Sequence, residues 1–415
     1  MSAAPAYVDE IRPSALSKLA LPAAALALLG LGFGFATGDA DTVWRAFHVN
    51  YLYFGALAQG GVVLSCIFTI VGAKWPGPLR RLSESLGAWT VVTPVLAAID
   101  IFGGRYYVVE AGHAILRHHV FPWFPVFLPK ERWLNPDRLA TWDLTIFVLL
   151  AVLSQVFLAS SRKLATPAAS TEEKEAARVR MKNLAPLICL AYAFGWSFVC
   201  FDQVMSLTPT WFSNLFGAFF AWGGLLSAVT ATTVLAVFHR NHPGLEGEIT
   251  RERLHDLGKL IFAFSIFWMY LFFSQYLVIW YGNLPEETQF FQARLGSEFL
   301  MDTWYWSGWW DRIAEPWVKV SLLAWICIWV VPFWFLLGQV PKKTWWFIGP
   351  VASVSLFGFW LERNVLIWPS LAPKDTFAFV GPAQIAIALG FLGAFVLAGM
   401  LYRSRFMAVP VKTGH

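Results

Sequence analysis

Four ionisable side chains sit in or at the mouth of long apolar runs of this 415-residue chain: His48, Asp100, Asp202 and Glu362. An acid in hydrocarbon costs on the order of 2.5 to 3.5 kcal/mol on insertion scales, so it implies a polar companion or a water-lined cavity. Taken singly, each is a polar group satisfied near a helix end. Taken together they share one depth: His48 opens a run, while Asp100, Asp202 and Glu362 lie towards the ends of runs of the opposite direction. Groups of this kind bind and release protons. Gln59, Thr93 and Gln275, with Asn50, Gln155 and Asn214, can extend a hydrogen-bonded path, and Tyr192, Ser227 and Thr230 can carry it further.

The elements that must position these groups are membrane spans. A helix rising 1.5 Å per residue needs roughly 20 apolar residues to cross a bilayer. Ten such runs lie near 19–37, 47–73, 85–103, 143–160, 184–206, 212–238, 259–281, 317–338, 344–362 and 379–402. The chain is 57% hydrophobic and 14% charged, against about 25% charged for soluble domains. Its 23 Trp crowd the ends of the runs, as interfacial rings do. These features predict an all-α polytopic membrane protein and exclude a soluble helical one. The first run follows Arg12 and Lys18 and reads as a retained anchor rather than a cleaved signal. Of 31 Lys and Arg, 20 fall in the tails and alternate loops of one side. The positive-inside rule makes that side cytoplasmic, with both termini there. The net charge of +5 reflects this bias and calls for no nucleic acid.

Two longer loops lie on the other side. Segment 104–142 contains HHVFPWFPVFLPKERWLNPDR, including Trp133, and segment 282–316 contains WYWSGWWDR, with Trp304, Trp306, Trp309 and Trp310. Such clusters either lie on lipid headgroups or dock partner proteins. On the positive side, 162–183 reads as a solvated linker and helix start, Ser170 capping with Glu173 three residues on.

A weak repeat relates Phe54–Ala56 with Gly60 and Gly61 to Phe216–Ala218 with Gly223 and Gly224, and Leu86–Gly87 to Leu257–Gly258. The offset of about 162 to 171 residues is four spans. It predicts one integral membrane domain, 1–415, holding two four-helix bundles, 47–206 and 212–362, flanked by the first and last spans and related by an axis along the membrane normal. Recurrence of small residues at close helix contacts is the plainer source of the match.

The cysteines Cys66, Cys189, Cys200 and Cys327 are scattered, with no CxxC or haem-attachment spacing, and no His sits mid-run to face another across a bundle. Adjacent His118 and His119 are poorly spaced for a metal, and no Walker or dinucleotide loop is present. The expectation is a chain that binds no cofactor or metal of its own and has no catalytic residues.

HDLGKLIFAFSIFWMYLFFSQYLVIWYGNLPEET, from His255 to Thr288, resembles the most recognisable segment of the ActF-type subunits of alternative complex III, among the NrfD-like membrane subunits related to polysulfide reductase. CFDQVMSLTPTWFSNLFGAFF (Cys200 to Phe220) and KERWLN (Lys130 to Asn135) fit the same subunit, and the resemblance covers nearly the whole chain. It implies two four-helix bundles plus two helices, in a bacterial inner membrane. It implies a non-redox subunit of a complex that oxidises quinol and passes electrons, through an iron-sulfur subunit and a multihaem cytochrome c subunit, to cytochrome c or a terminal oxidase. A homologous NrfD-like sister subunit would bind quinol, and this chain would support assembly and conduct protons. Three other readings stand beside it: a quinol site at His48, Asp100 and Asp202, a purely structural scaffold, and an ion-coupled transporter.

Overall fold

The computed structural model describes residues 7–8, 15–110, 113–124, 130–166, 168–242, 245, 247–296, 315, 317–373, 379–406 and 409–410. Strand β1 (Tyr7–Val8) precedes helices α1 (Ala15–Thr37), α2 (Ala40–Ile70), α3 (Pro78–Leu86) and α4 (Thr93–Gly103), the last two joined by a 3-10 turn at Gly87–Val91. A hairpin of β2 (Arg105–Glu110) and β3 (His113–His118) follows. Then come α5 (Pro136–Ala165), α6 (Thr171–Gln203), α7 (Asn214–His239), α8 (Arg251–Gly282) and the short α9 (Pro285–Leu295). Helices α10 (Val318–Trp325) and α11 (Val331–Phe335) are joined by a π segment, Ile326–Val330; α12 (Gln339–Lys343), α13 (Trp345–Leu371), α14 (Pro382–Phe406) and β4 (Val409–Pro410) complete the chain.

Local chemistry sets several boundaries. Asp39 starts α2 by accepting the Thr42 N–H, and Asn135 starts α5 by accepting from Asp137 and Arg138, with Pro136 at the first helical position. Ser170 and Glu173 form the expected capping box on α6. The hairpin lies where the sequence reading placed only a loop; Tyr106, Tyr107, Val108 and Val109 on one strand, and Ile115 and Leu116 on the other, suit an extended pleat.

Among the described residues nine helices are long and apolar enough to cross a membrane. The tenth, α13, has 27 residues, about 40 Å at 1.5 Å each, but Glu362, Arg363 and Asn364 make it less apolar. It runs to Leu371, so Glu362 is inside the helix and not at its end. The fold is thus an all-α polytopic membrane protein. The outward surface is apolar, with Leu21, Leu28, Phe194, Val278 and Tyr281 all exposed, as hydrocarbon surroundings require.

Helix contacts group α2 with α3, α4, α5 and α6, and α7 with α8 and α13, which α10 and α11 join by packing on α13, while α1 packs on α14 and that pair lies against α2. Helices α2 and α7 form the seam: 83% and 78% of their apolar windows are buried, against 22% to 44% in the other candidate spans. At their crossing the repeated glycines meet. A Cβ on Gly60 would lie 2.5 Å from the Gly224 carbonyl oxygen, and one on Gly224 would meet Ala56.

Pro369 lies inside α13 and cannot donate to the Val365 carbonyl four residues back. Arg294 of α9 supplies the missing donor, Nε to Val365 O at 2.9 Å, and its Nη2 donates to Leu366 O at 2.7 Å and to Ser370 Oγ at 2.8 Å. Arg294→Leu is expected to strand the Val365 carbonyl at about 1 to 3 kcal/mol. It should lower the unfolding temperature more than Arg251→Leu at an exposed position; equal shifts in a thermal melt would count against this role.

Candidate functional site

A line of buried polar groups runs along the first bundle, beginning at the end covered by the hairpin. His48, eight residues inside α2, and Asp100 of α4 are both fully buried, and His48 Nδ1 lies 2.8 Å from Asp100 Oδ2. His48 Nε2 lies 2.8 Å from the Gln203 carbonyl oxygen. A carbonyl only accepts, so Nε2 carries a hydrogen and donates it. The contact on the other ring nitrogen must then also hold a proton, either as imidazolium against carboxylate or as carboxylic acid donating to imidazole; without it two lone pairs would face each other. The dyad is therefore a one-proton site by geometry. Asp100 Oδ1 is buried and has no hydrogen-bond partner among the described residues.

Gln203, the last residue of α6, extends the network. Its Oε1 accepts from the Tyr51 hydroxyl, and its Nε2 donates to Asp143 Oδ2 at 2.6 Å. Asp143 interacts directly with Asp202. Arg138 Nη1 donates to both Asp202 oxygens, at 2.9 and 3.0 Å. The guanidinium lies 3.8 Å from the Trp133 ring centroid, and its side chain is 18% exposed, so the network reaches the surface here.

Further along α2, Gln59 donates to Ser154 at 2.8 Å, and Gln155 donates to Thr90 at 3.0 Å. Thr93, at the start of α4, is buried and donates to Trp89 O in the preceding 3-10 turn. At the far end Ser65 and Ser161 donate to the buried Glu84, at 2.7 and 2.8 Å, and Arg80 lies 3.9 Å away. From His48 to Ser65 is about 25 Å along the helix axis, close to a hydrocarbon thickness of about 30 Å. His48, Tyr51, Gln59 and Ser65 fall within an arc of about 120° at 3.6 residues per turn. Between Tyr51 and Gln59 the line is interrupted for about 12 Å, where Gly55 abuts Thr93 and Trp196.

The sequence-selected residues thus divide. His48, Asp100 and Asp202 come together, with Gln59 and Thr93 further along the same bundle. Glu362 and Gln275 belong to the second bundle. Glu362 is held by Arg363 Nη1 at 2.7 Å and Trp268 Nε1 at 3.0 Å, a closed ion pair. Gln275 accepts from Ser213 at 3.2 Å and donates to Leu271 O. Trp133 is 36% exposed and braces Arg138; Trp304, Trp306, Trp309 and Trp310 lie outside the described residues.

Sequence reading missed Tyr51, Glu84, Arg138, Asp143 and Gln203. The span limits hid two of them. Asp143 was placed at the first residue of a run, yet α5 starts at Pro136, a boundary that Asn135-Pro136 signals; Glu84 was left just ahead of a run that begins at 85, yet it lies within α3.

The hairpin fixes the dyad from above. His118 is buried; its Nδ1 accepts the Val120 N–H at 3.0 Å and its Nε2 donates to the Asp100 carbonyl at 3.1 Å. Burial pulls its pKa from the usual value down to about 4, against an opposing pull from Asp100. The folded value lies below the unfolded one, so the unhooked hairpin binds more protons between them. The contribution to docking is complete above about pH 6.5 and is lost as pH falls towards 4. Opening of the hairpin, read by hydrogen exchange corrected for intrinsic rates, should rise on the order of 50-fold between pH 7 and 4.5. His118→Asn should flatten that dependence; a flat profile in the unmodified protein would contradict it.

A scan against models of known protein families finds no match to this chain, and a search of curated proteins finds none either.

Proposed function

We propose that this protein is a membrane subunit of a respiratory quinol-oxidising complex of the alternative complex III type, and that its first bundle conducts protons for that complex. The single observation that carries the protonic role is the His48–Asp100 contact, whose geometry requires a proton, at one end of a polar line that ends at Glu84. The complex is supported by the resemblance of the His255 to Thr288 segment and the all-α polytopic fold. The distribution of Lys and Arg supports the Glu84 end facing the cytoplasm and the hairpin end facing outside, and the resemblance implies a bacterial inner membrane.

In this path a proton enters at Glu84, moves through water beside Gln59, Ser154 and Thr93, whose side chains orient that water, and reaches the dyad. It leaves through water past Gln203 to the Asp143–Asp202 pair, where the permanently charged Arg138 marks the exposed mouth without taking up the proton. His48 is enclosed, with the rings of Tyr51 and Phe121 each 5.5 Å from it. That enclosure favours proton relay over contact with a quinol at His48, Asp100 and Asp202. Electron carriage belongs to partner subunits bearing c-type haems and iron-sulfur clusters, with quinol on the sister subunit.

Mild-detergent isolation of the tagged chain from its native membrane, followed by analysis for covalent haem and iron, tests the assembly. A multihaem cytochrome and an iron-sulfur protein should copurify. Recovery of the chain alone from intact membranes would sink the reading.

A further inference from the structure

The second bundle holds a cavity of about 430 Å³. That size falls within the range of small-molecule sites, about 300 to 1,000 Å³. Its walls are rich in rings, among them Phe219, Trp268, Phe272, Phe290 and Trp325. The opening faces sideways. Phe273 lines the cavity and is 48% exposed, and α8 meets the π segment and α11 but has no substantial contact with α10. The two helices therefore part towards the α9 end. The π segment follows directly on lining residues Ala324 and Trp325 of α10, and π-bulges recur at functional sites.

Two polar observations point to an occupant. Arg294 lines the cavity at 4% exposure, and no carboxylate pairs with it among the described residues. Its hydrogen bonds go to three carbonyls and Ser370 Oγ, which satisfy donors but do not cancel charge. The other buried charges beside the cavity, Glu362 and Arg363, cancel each other. A buried cation calls for an anion far more strongly than an exposed one. Second, Ser321 Oγ is buried on the cavity wall without a hydrogen-bond partner.

We propose that this cavity binds an anionic amphiphile, one acyl chain entering between α8 and α10 to lie among the rings while the anionic head is held at Arg294 and Ser321. The shared chemistry is an anionic oxygen cluster on an apolar tail, and membrane phospholipid and free fatty acid are its two sources. This site is separate from the proton line and does not depend on it.

Native mass spectrometry of the full chain, delipidated and then given equimolar phosphatidylglycerol and phosphatidylethanolamine, reads the preference. One phosphatidylglycerol should be retained at least tenfold over the zwitterionic lipid. A parallel arm with oleate separates the sources: retention of oleate in competition assigns the site to fatty carboxylates, and its displacement assigns it to phospholipid. Ala324→Phe fills the cavity from a buried wall position while Arg294 itself is unchanged, and should abolish the retained lipid. Arg294→Lys keeps the charge and should keep the preference; Arg294→Gln should lose it. Equal retention of both headgroups, or retention unchanged in Ala324→Phe, would overturn the proposal.

Discussion

Asp100→Asn is expected to cut proton movement through this protein by tenfold or more while leaving its assembly intact. An amide in that position still hydrogen-bonds His48 Nδ1, so the fully buried contact survives with its shape, but an amide does not exchange a proton near neutral pH. Positioned acid–base groups are worth about 10²- to 10⁴-fold where a proton must move, and the lower end of that range suffices here. Quinol oxidation and proton release should be measured separately on the purified complex. Oxidation that persists while proton release falls is the expected pattern. Unchanged release in both Asp100→Asn and Asp143→Asn would leave only a scaffold. Asp202→Asn is a less clean probe, since it strips Arg138 of its carboxylate. Breaking a buried pair costs about 3 to 5 kcal/mol, less here because the Arg138 side chain is 18% exposed.

The second large effect is on folding. Gly60→Val places branched carbon against the backbone of α7, since even the Cβ would lie 2.5 Å from the Gly224 carbonyl oxygen. The helices must separate along the seam that joins the bundles. Overpacking of this kind costs about 1 to 3 kcal/mol, and rigid backbone on both sides puts valine at the upper end. Gly32→Val is the control, because nothing lies within 4 Å of its Cβ. A thermal melt should show a clear drop for Gly60→Val and little for Gly32→Val. Matching melts would mean that the glycine contact does not set the bundle spacing.

The fold was legible because membrane spans announce themselves by length and apolarity, and nine of the ten expected runs satisfy both in the structure. The tenth, α13, was legible too, but its end was misplaced: charged residues inside a helix read as a boundary, whereas Glu362 and Arg363 neutralise each other and the helix continues to Leu371. The repeat at Gly60 and Gly224 was visible as a match, and its meaning as a crossing needed coordinates. For the site, His48, Asp100 and Asp202 stood out because charge in an apolar run is conspicuous. Gln203 and Tyr51 did not, because a neutral amide and a phenol carry no such signal and their roles come from neighbours 152 residues apart in sequence. The pairing of Asp202 with Arg138 joins α6 to the start of α5, a contact that no local pattern encodes.

The carbonyl that receives the His48 Nε2 hydrogen belongs to the residue at which α6 ends and the connector to the second bundle begins. An imidazolium grips that oxygen harder than a neutral ring does. A change of charge at the dyad would therefore alter how firmly the start of the connector from α6 to α7 is held.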